Sequence, residues 1–143
     1  MQQRTLWLVG SIALLAACTD APTTPSANAS LLTNTVSSAI WAKVDSGKIG
    51  PGSHYAMYKP VNWNGSAVYY GHGFNDVSEP ILVPDEQDNT GVMRDALGAM
   101  GYAVAMTSYS SNGYDYGDGL RRMHQLKGLL ASKFGTPTRN YLA

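Results

Sequence analysis

Cysteine is almost missing from this 143-residue chain: Cys18 is the only one, which excludes an intrachain disulfide. An excess of charge of one sign is missing too. Ten Lys and Arg balance ten Asp and Glu, so the chain has no global basic surplus with which to replace the counterions on phosphates, and no nucleic acid partner is expected. Histidine is scarce. His54, His72 and His124 lie too far apart for a compact zinc motif, and the acids between Asp76 and Asp88 lack the loop spacing of an EF-hand, so no metal is expected. Nor is there a phosphate-binding glycine loop or a dinucleotide fingerprint, since the glycines around His72 lack the spacing and the acidic follower; no cofactor is expected. Internal repeats and heptads are absent. What is present suits a folded chain: 44% apolar and 14% charged residues, enough apolar surface to offset the entropy of ordering one domain.

Leu6 to Ala17 is an apolar run interrupted only by Gly10 and Ser11, with Arg4 as a weakly positive start. It is too short to span a bilayer comfortably as a permanent helix, so residues 1–17 are expected to be a signal peptide. Leu15-Ala16-Ala17-Cys18 resembles a bacterial lipobox, in which small side chains fit the peptidase and the cysteine thiol accepts a diacylglycerol. The resemblance implies a lipid on Cys18 and, through it, a membrane partner. Thr19 stands where the inner-membrane retention signal has aspartate. The implied location is therefore the bacterial cell envelope, on the outer membrane where the cell has one, and otherwise secretion. Residues 18–35 are rich in Thr, Ser, Ala, Pro and Asn and are expected to form a flexible, lipid-attached linker before a domain over 36–143.

Within that domain, Ser53 to Lys59 has β-prone aromatics and closes at Pro60, which cannot donate to a ladder. Asn62-Trp63-Asn64-Gly65 separates it from a second apolar strand, Ser66 to Tyr70, and the two are expected to be antiparallel neighbours. Asn75 to Asn89, with Pro80, Pro84 and five acids, reads as a long loop. Gly91 to Met100 reads as a helix with Val92, Ala96, Leu97 and Met100 on one stripe, and Gly101 ends it. Tyr102 to Thr107 is nearly continuously apolar, the pattern of a central parallel strand. Asp118 is placed to cap a helix running to Phe134, with Leu120, Met123, Leu126 or Lys127, Leu130 and Phe134 inward and Arg121, Arg122, Gln125 and Lys133 outward. Asn140 to Ala143 begins another strand. This alternation predicts an α/β fold with right-handed crossovers and a parallel sheet.

The sharpest motif is Gly71-His72-Gly73-Phe74 directly after a hydrophobic strand. Glycines there let backbone N–H groups approach a substrate without a β-carbon in the way, as an oxyanion-binding loop requires. Together with Pro60-Val61-Asn62-Trp63-Asn64-Gly65 before it and Gly101-Tyr102-Ala103-Val104-Ala105 after it, the motif resembles the first half of an α/β-hydrolase over roughly Tyr55 to Ala143. The resemblance implies a partial α/β-hydrolase fold, mostly parallel with leading antiparallel strands and flanking helices, truncated at the fifth strand. It also implies a serine hydrolase, either an esterase/lipase or a prolyl-oligopeptidase-like peptidase, forming an acyl-enzyme from a small-molecule ester or a peptide. The Phe74 N–H would be one oxyanion donor, carried by the loop Gly71, His72, Gly73, with His72 bracing the loop rather than acting as a base.

In the family a G-x-S-x-G turn with the nucleophile follows the fifth strand, and the acid and histidine follow that. None of these is found in the chain, which is expected to be the N-terminal portion of such an enzyme and inactive as it stands. Ser108 to Tyr114 is similar to the stretch after the fourth strand in secreted hydrolases, where aromatics wall the substrate mouth. Tyr109, Tyr114 and Tyr116 are the candidates, although a Tyr-rich surface loop explains the same residues. The alternative function is a non-catalytic envelope lipoprotein that uses the half-fold as a binding module.

Overall fold

A computed structural model describes residues 39–87 and 90–143. The signal-peptide segment 1–17, Cys18, the linker to residue 35, and Asp88 and Asn89 all lie outside the described residues. The strands are β1 (Trp41–Lys48), β2 (His54–Pro60), β3 (Ser66–Tyr70), β4 (Ala103–Thr107) and β5 (Arg139–Leu142); the helices are α1 (Pro84–Gln87), α2 (Thr90–Ala99) and α3 (Tyr116–Phe134). The strands form one sheet in the order β1-β2-β4-β3-β5.

This sheet corrects the expected fold class. In place of a mostly parallel, partial α/β-hydrolase sheet, the chain forms a mixed one. Its pairings β1–β2 and β2–β4 are antiparallel, and only β4–β3 and β3–β5 are parallel. The apolar run of β4 signals burial on both faces, which it has, but burial does not set strand direction. The expected pairing of β2 with β3 is also overturned, because β4 lies between them. The connector Val61–Gly65 does not close a tight hairpin. The Asn64 N–H donates to the Gly101 carbonyl at 2.8 Å and its side-chain amide to the Met100 carbonyl at 3.2 Å, so the connector is tied to the turn entering β4. From there it steps across two strand spacings, about 10 Å, to start β3.

Side chains of β4 alternate between two layers. Ala103 and Ala105 join Met57, Ala67 and Tyr69 beneath α3, whose Leu126 and Leu130 are fully buried. Val104 and Met106 join Trp41, Ala56 and Val83 on the opposite face, against α2.

Both long helices turn differently from the sequence expectation. Asp115, not Asp118, caps α3: its Oδ1 accepts the Asp118 N–H at 3.1 Å. Asp118 is instead buried and paired with Arg122 at 2.9 Å, so Arg122 points inward while Leu120 is exposed. The ion pair removes the cost of burying either charge alone, and a hydrophobic stripe cannot foresee that. The last carbonyls of α3 accept from two strand lysines, Lys43 to Lys133 at 3.0 Å and Lys59 to Phe134 at 2.6 Å.

Helix α2 turns Val92, Ala96 and Met100 outward and meets the sheet through Leu97 and Gly98. A Cβ on Gly98 would lie 2.3 Å from the Trp41 ring, so only glycine permits this approach. A polar network completes the contact. The Arg94 guanidinium pairs with Asp85 and Asp95, both at 2.8 Å, the Trp41 indole donates to Asp95 at 3.1 Å, and the Tyr58 hydroxyl donates to Asp85. Burial, reinforced by the Asp85 carboxylate, pushes the Tyr58 hydroxyl pKa well above the ordinary phenol value. No helix among the described residues is long and apolar enough to cross a membrane.

Candidate functional site

A cleft of about 500 Å³ opens where β3 and β5 end, between the loop that follows β3 and the start of α3. The loop Gly71, His72, Gly73, Phe74 forms one wall, and Tyr109, Tyr114 and Tyr116 contribute to the other. Leu142 and Ala143 reach its floor, and the Gly71 N–H donates to the Ala143 carbonyl at 2.9 Å, so the parallel β3–β5 ladder runs directly into the cleft.

Above that bond the loop leaves the ladder. The N–H groups of His72, Gly73 and Phe74 donate to no protein acceptor among the described residues. Such a run of unengaged donors beside a cleft can receive an oxygen carrying negative charge. Both nitrogens of the His72 ring lie beside backbone oxygens, and whichever carries the proton donates to its neighbour. Nδ1 lies 2.8 Å from the Gly73 carbonyl and Nε2 lies 3.1 Å from the Ser108 carbonyl. With its nitrogens turned to backbone oxygens and its face stacked on Tyr109 at a centroid distance of 4.0 Å, the imidazole fixes the loop against the strand end of β4.

Tyr109 is the one described non-glycine residue with positive φ, at 56°. That conformation is uncommon for a bulky residue and persists only where its surroundings hold it. The Ser108 hydroxyl donates to the Tyr109 carbonyl at 2.8 Å, and the ring lies between His72 and two glycines. A Cβ on Gly71 would come within 3.1 Å of the Tyr109 hydroxyl, and one on Gly119 within 3.2 Å of its ring. Burial raises the Tyr109 pKa, with the neighbouring Tyr70 adding to it. At the mouth, Phe74, Tyr114 and Tyr116 are 57%, 75% and 79% exposed and form a chain of rings at 5.0 and 6.1 Å between centroids.

No family model, no curated protein and no solved structure matches the chain. The chemistry of the cleft must therefore be read from its own residues.

Its lining includes neither serine nor cysteine. The serines of the loop before α3 are engaged elsewhere: Ser108 Oγ accepts the His54 N–H at 2.9 Å, Ser110 Oγ accepts from Arg122 at 3.0 Å, and Ser111 Oγ donates to Asp115 at 2.5 Å. His54 lies on β2 beside a separate hollow, and His124 lines a shallow groove with Lys127 and Tyr141. Among the described residues, no three His, Cys, Asp or Glu side chains converge as metal ligands would. Sequence reasoning missed Asp115, Gly119 and Leu142 as parts of the cleft. Only the spacing of Asp115 from Tyr114 and Tyr116 could have signalled it.

Buried Asp118 anchors the loop from below. It accepts the Ser110 N–H at 2.7 Å and pairs with Arg122. Burial alone would raise its pKa, but the bonds from Ser110 and Arg122 outweigh that and hold the carboxyl below the ordinary carboxylate value.

Proposed function

We propose that the cleft is the oxyanion side of an acyl-transfer site, and that the chain is the N-terminal part of a secreted, lipid-anchored serine hydrolase acting on ester or peptide bonds. The observation that carries this reading is the run of unengaged N–H donors from His72 to Phe74 along one wall of an aromatic cleft. In the reaction, the Phe74 N–H would stabilise the oxygen of the tetrahedral intermediate, Tyr109, Tyr114 and Tyr116 would wall the substrate, and the His72 ring would keep the donors in place. The nucleophile and its base would come from sequence following Ala143, which enters at the cleft floor. A lipid on Cys18 would hold the enzyme at the bacterial cell envelope.

The described cleft carries no serine or cysteine of its own, and that observation favours a second reading, a non-catalytic envelope lipoprotein that binds a ligand there. One experiment separates them. The full product of the gene, purified from its own cells, is treated with a fluorophosphonate probe and a p-nitrophenyl ester. Labelling on a serine beyond Ala143, with turnover lowered by about two to three orders of magnitude in Phe74→Pro, is expected for the hydrolase. A full-length product that neither labels nor turns over the ester leaves the binding module. Incorporation of a labelled fatty acid that survives in Cys18→Ala would remove the anchor from either reading.

A further inference from the structure

We propose that the cleft selects a ligand carrying a substituted ammonium group on an apolar body. This rests on the reading of the cleft as a ligand site and names the class of ligand it takes. Four aromatic side chains line it, Phe74, Tyr109, Tyr114 and Tyr116, and its one acidic side chain among the described residues is Asp115; no Lys or Arg lines it. Aromatic faces attract a cation through the ring quadrupole, most strongly when the cation sheds water among several rings. A purely apolar ligand would be served equally well by Leu and Ile.

Electrostatics point the same way. Asp115 pairs with no cation among the described residues; its oxygens accept only the Ser111 hydroxyl and the Asp118 N–H. Arg121 and Arg122 are both turned to Asp118. The start of α3 carries a partial positive charge of about half a unit, less than the Asp115 carboxylate that caps it. Across the Phe74 ring a second hollow is lined by Asp76, Glu79 and Glu86, again without a basic residue. Among the described residues, the two hollows that share Phe74 are thus lined by four acidic side chains and by no lysine or arginine. Away from the N–H donors of His72 to Phe74, these side chains favour a cationic group over an anionic one.

The test compares choline with its neutral isostere, the alcohol in which a tert-butyl group replaces the trimethylammonium group. Each is titrated into the full product of the gene and followed by the amide shifts of Gly73, Phe74 and Tyr114. Choline is expected to bind about fivefold to tenfold more tightly than the isostere, and Asp115→Asn is expected to remove most of that preference. Asparagine caps a helix as well as aspartate does, so the variant should fold. Equal binding of the two alcohols in the cleft, or a preference unchanged in Asp115→Asn, overturns the ammonium specificity while leaving the ligand site standing. If neither alcohol moves those amides, the ammonium inference falls, and the reading of the cleft as a ligand site falls with it only where the p-nitrophenyl ester also leaves those amides unmoved.

Discussion

The two faces of the sheet are held by different physics. Under α3 the contact is apolar: Leu126 and Leu130 are fully buried against Met57, Ala67, Ala103 and Ala105. Under α2 the apolar layer is thinner, and the helix is fastened by Arg94 between Asp85 and Asp95, with Trp41 and Tyr58 hydrogen-bonded into the same network. The Asp85 carboxyl is 6% exposed, and its Oδ1 has no hydrogen-bond partner. Apolar burial tolerates imprecise placement, whereas a buried network with one unsatisfied oxygen does not. The cleft lies at the edge of the α3 layer, so its walls stand on the better-packed face.

Removing Arg94 should break the α2 face most severely. Arg94→Met leaves Asp85 buried with Tyr58 alone and is expected to cost about 3–5 kcal/mol in denaturant unfolding. The double variant Arg94→Met with Asp85→Leu should recover much of that loss, because replacing both partners removes the stranded charge. If the double variant is as unstable as the single one, the network is not what holds α2.

On the α3 face, Leu126→Ala should cost about 3 kcal/mol through lost burial and a residual cavity. It should also loosen the cleft, read as broader amide signals from Gly119 and Met123, and Arg94→Met should not. Equal broadening at the cleft in both variants would erase the distinction between the faces.

The smallest effect belongs to the rim of the same face. Asp45 is held below the ordinary carboxylate pKa, first by the hydrogen bond from Lys133 at 2.7 Å and then by that from Tyr55. A carboxyl with a lowered folded pKa contributes stability that is complete above its unfolded value, near 3.8, and is lost as pH falls through the folded value. Asp45→Asn should therefore cost less than about 1 kcal/mol at neutral pH, because Lys133 is partly solvated, and should flatten part of the acid limb below that value. An acid limb unchanged in Asp45→Asn would assign it to other carboxylates, Asp118 first.

The sequence was most legible where local chemistry and tertiary structure agree. The Gly71 to Phe74 loop, the tyrosines before α3, and β2 through β5 as elements could all be read from apolar runs and turn residues. β1 could not, because only Trp41 is buried in a strand otherwise carrying Lys43, Asp45 and Lys48. Strand order was hidden as well, since what separates β2 from β3 is a pair of bonds from Asn64 to residues before β4. The inward faces of α2 and α3 were misread for one reason: Gly98 and Arg122 bury positions that a hydrophobic stripe leaves outside, one by admitting a tryptophan and the other by an ion pair. The strain at Tyr109 left no sequence mark.

The lysines that close α3 set an order on the assembly of the fold. Lys43 and Lys59 reach its last carbonyls from positions 90 and 75 residues away along the chain. Until β1 and β2 have paired and docked, those carbonyls have only water, and the final turn of the helix frays. The middle of α3, over Leu126 and Leu130, can become protected against amide exchange as soon as it meets β4. The amides near Phe134 should gain protection only with the antiparallel pair, so the end of one helix reports the arrival of two strands.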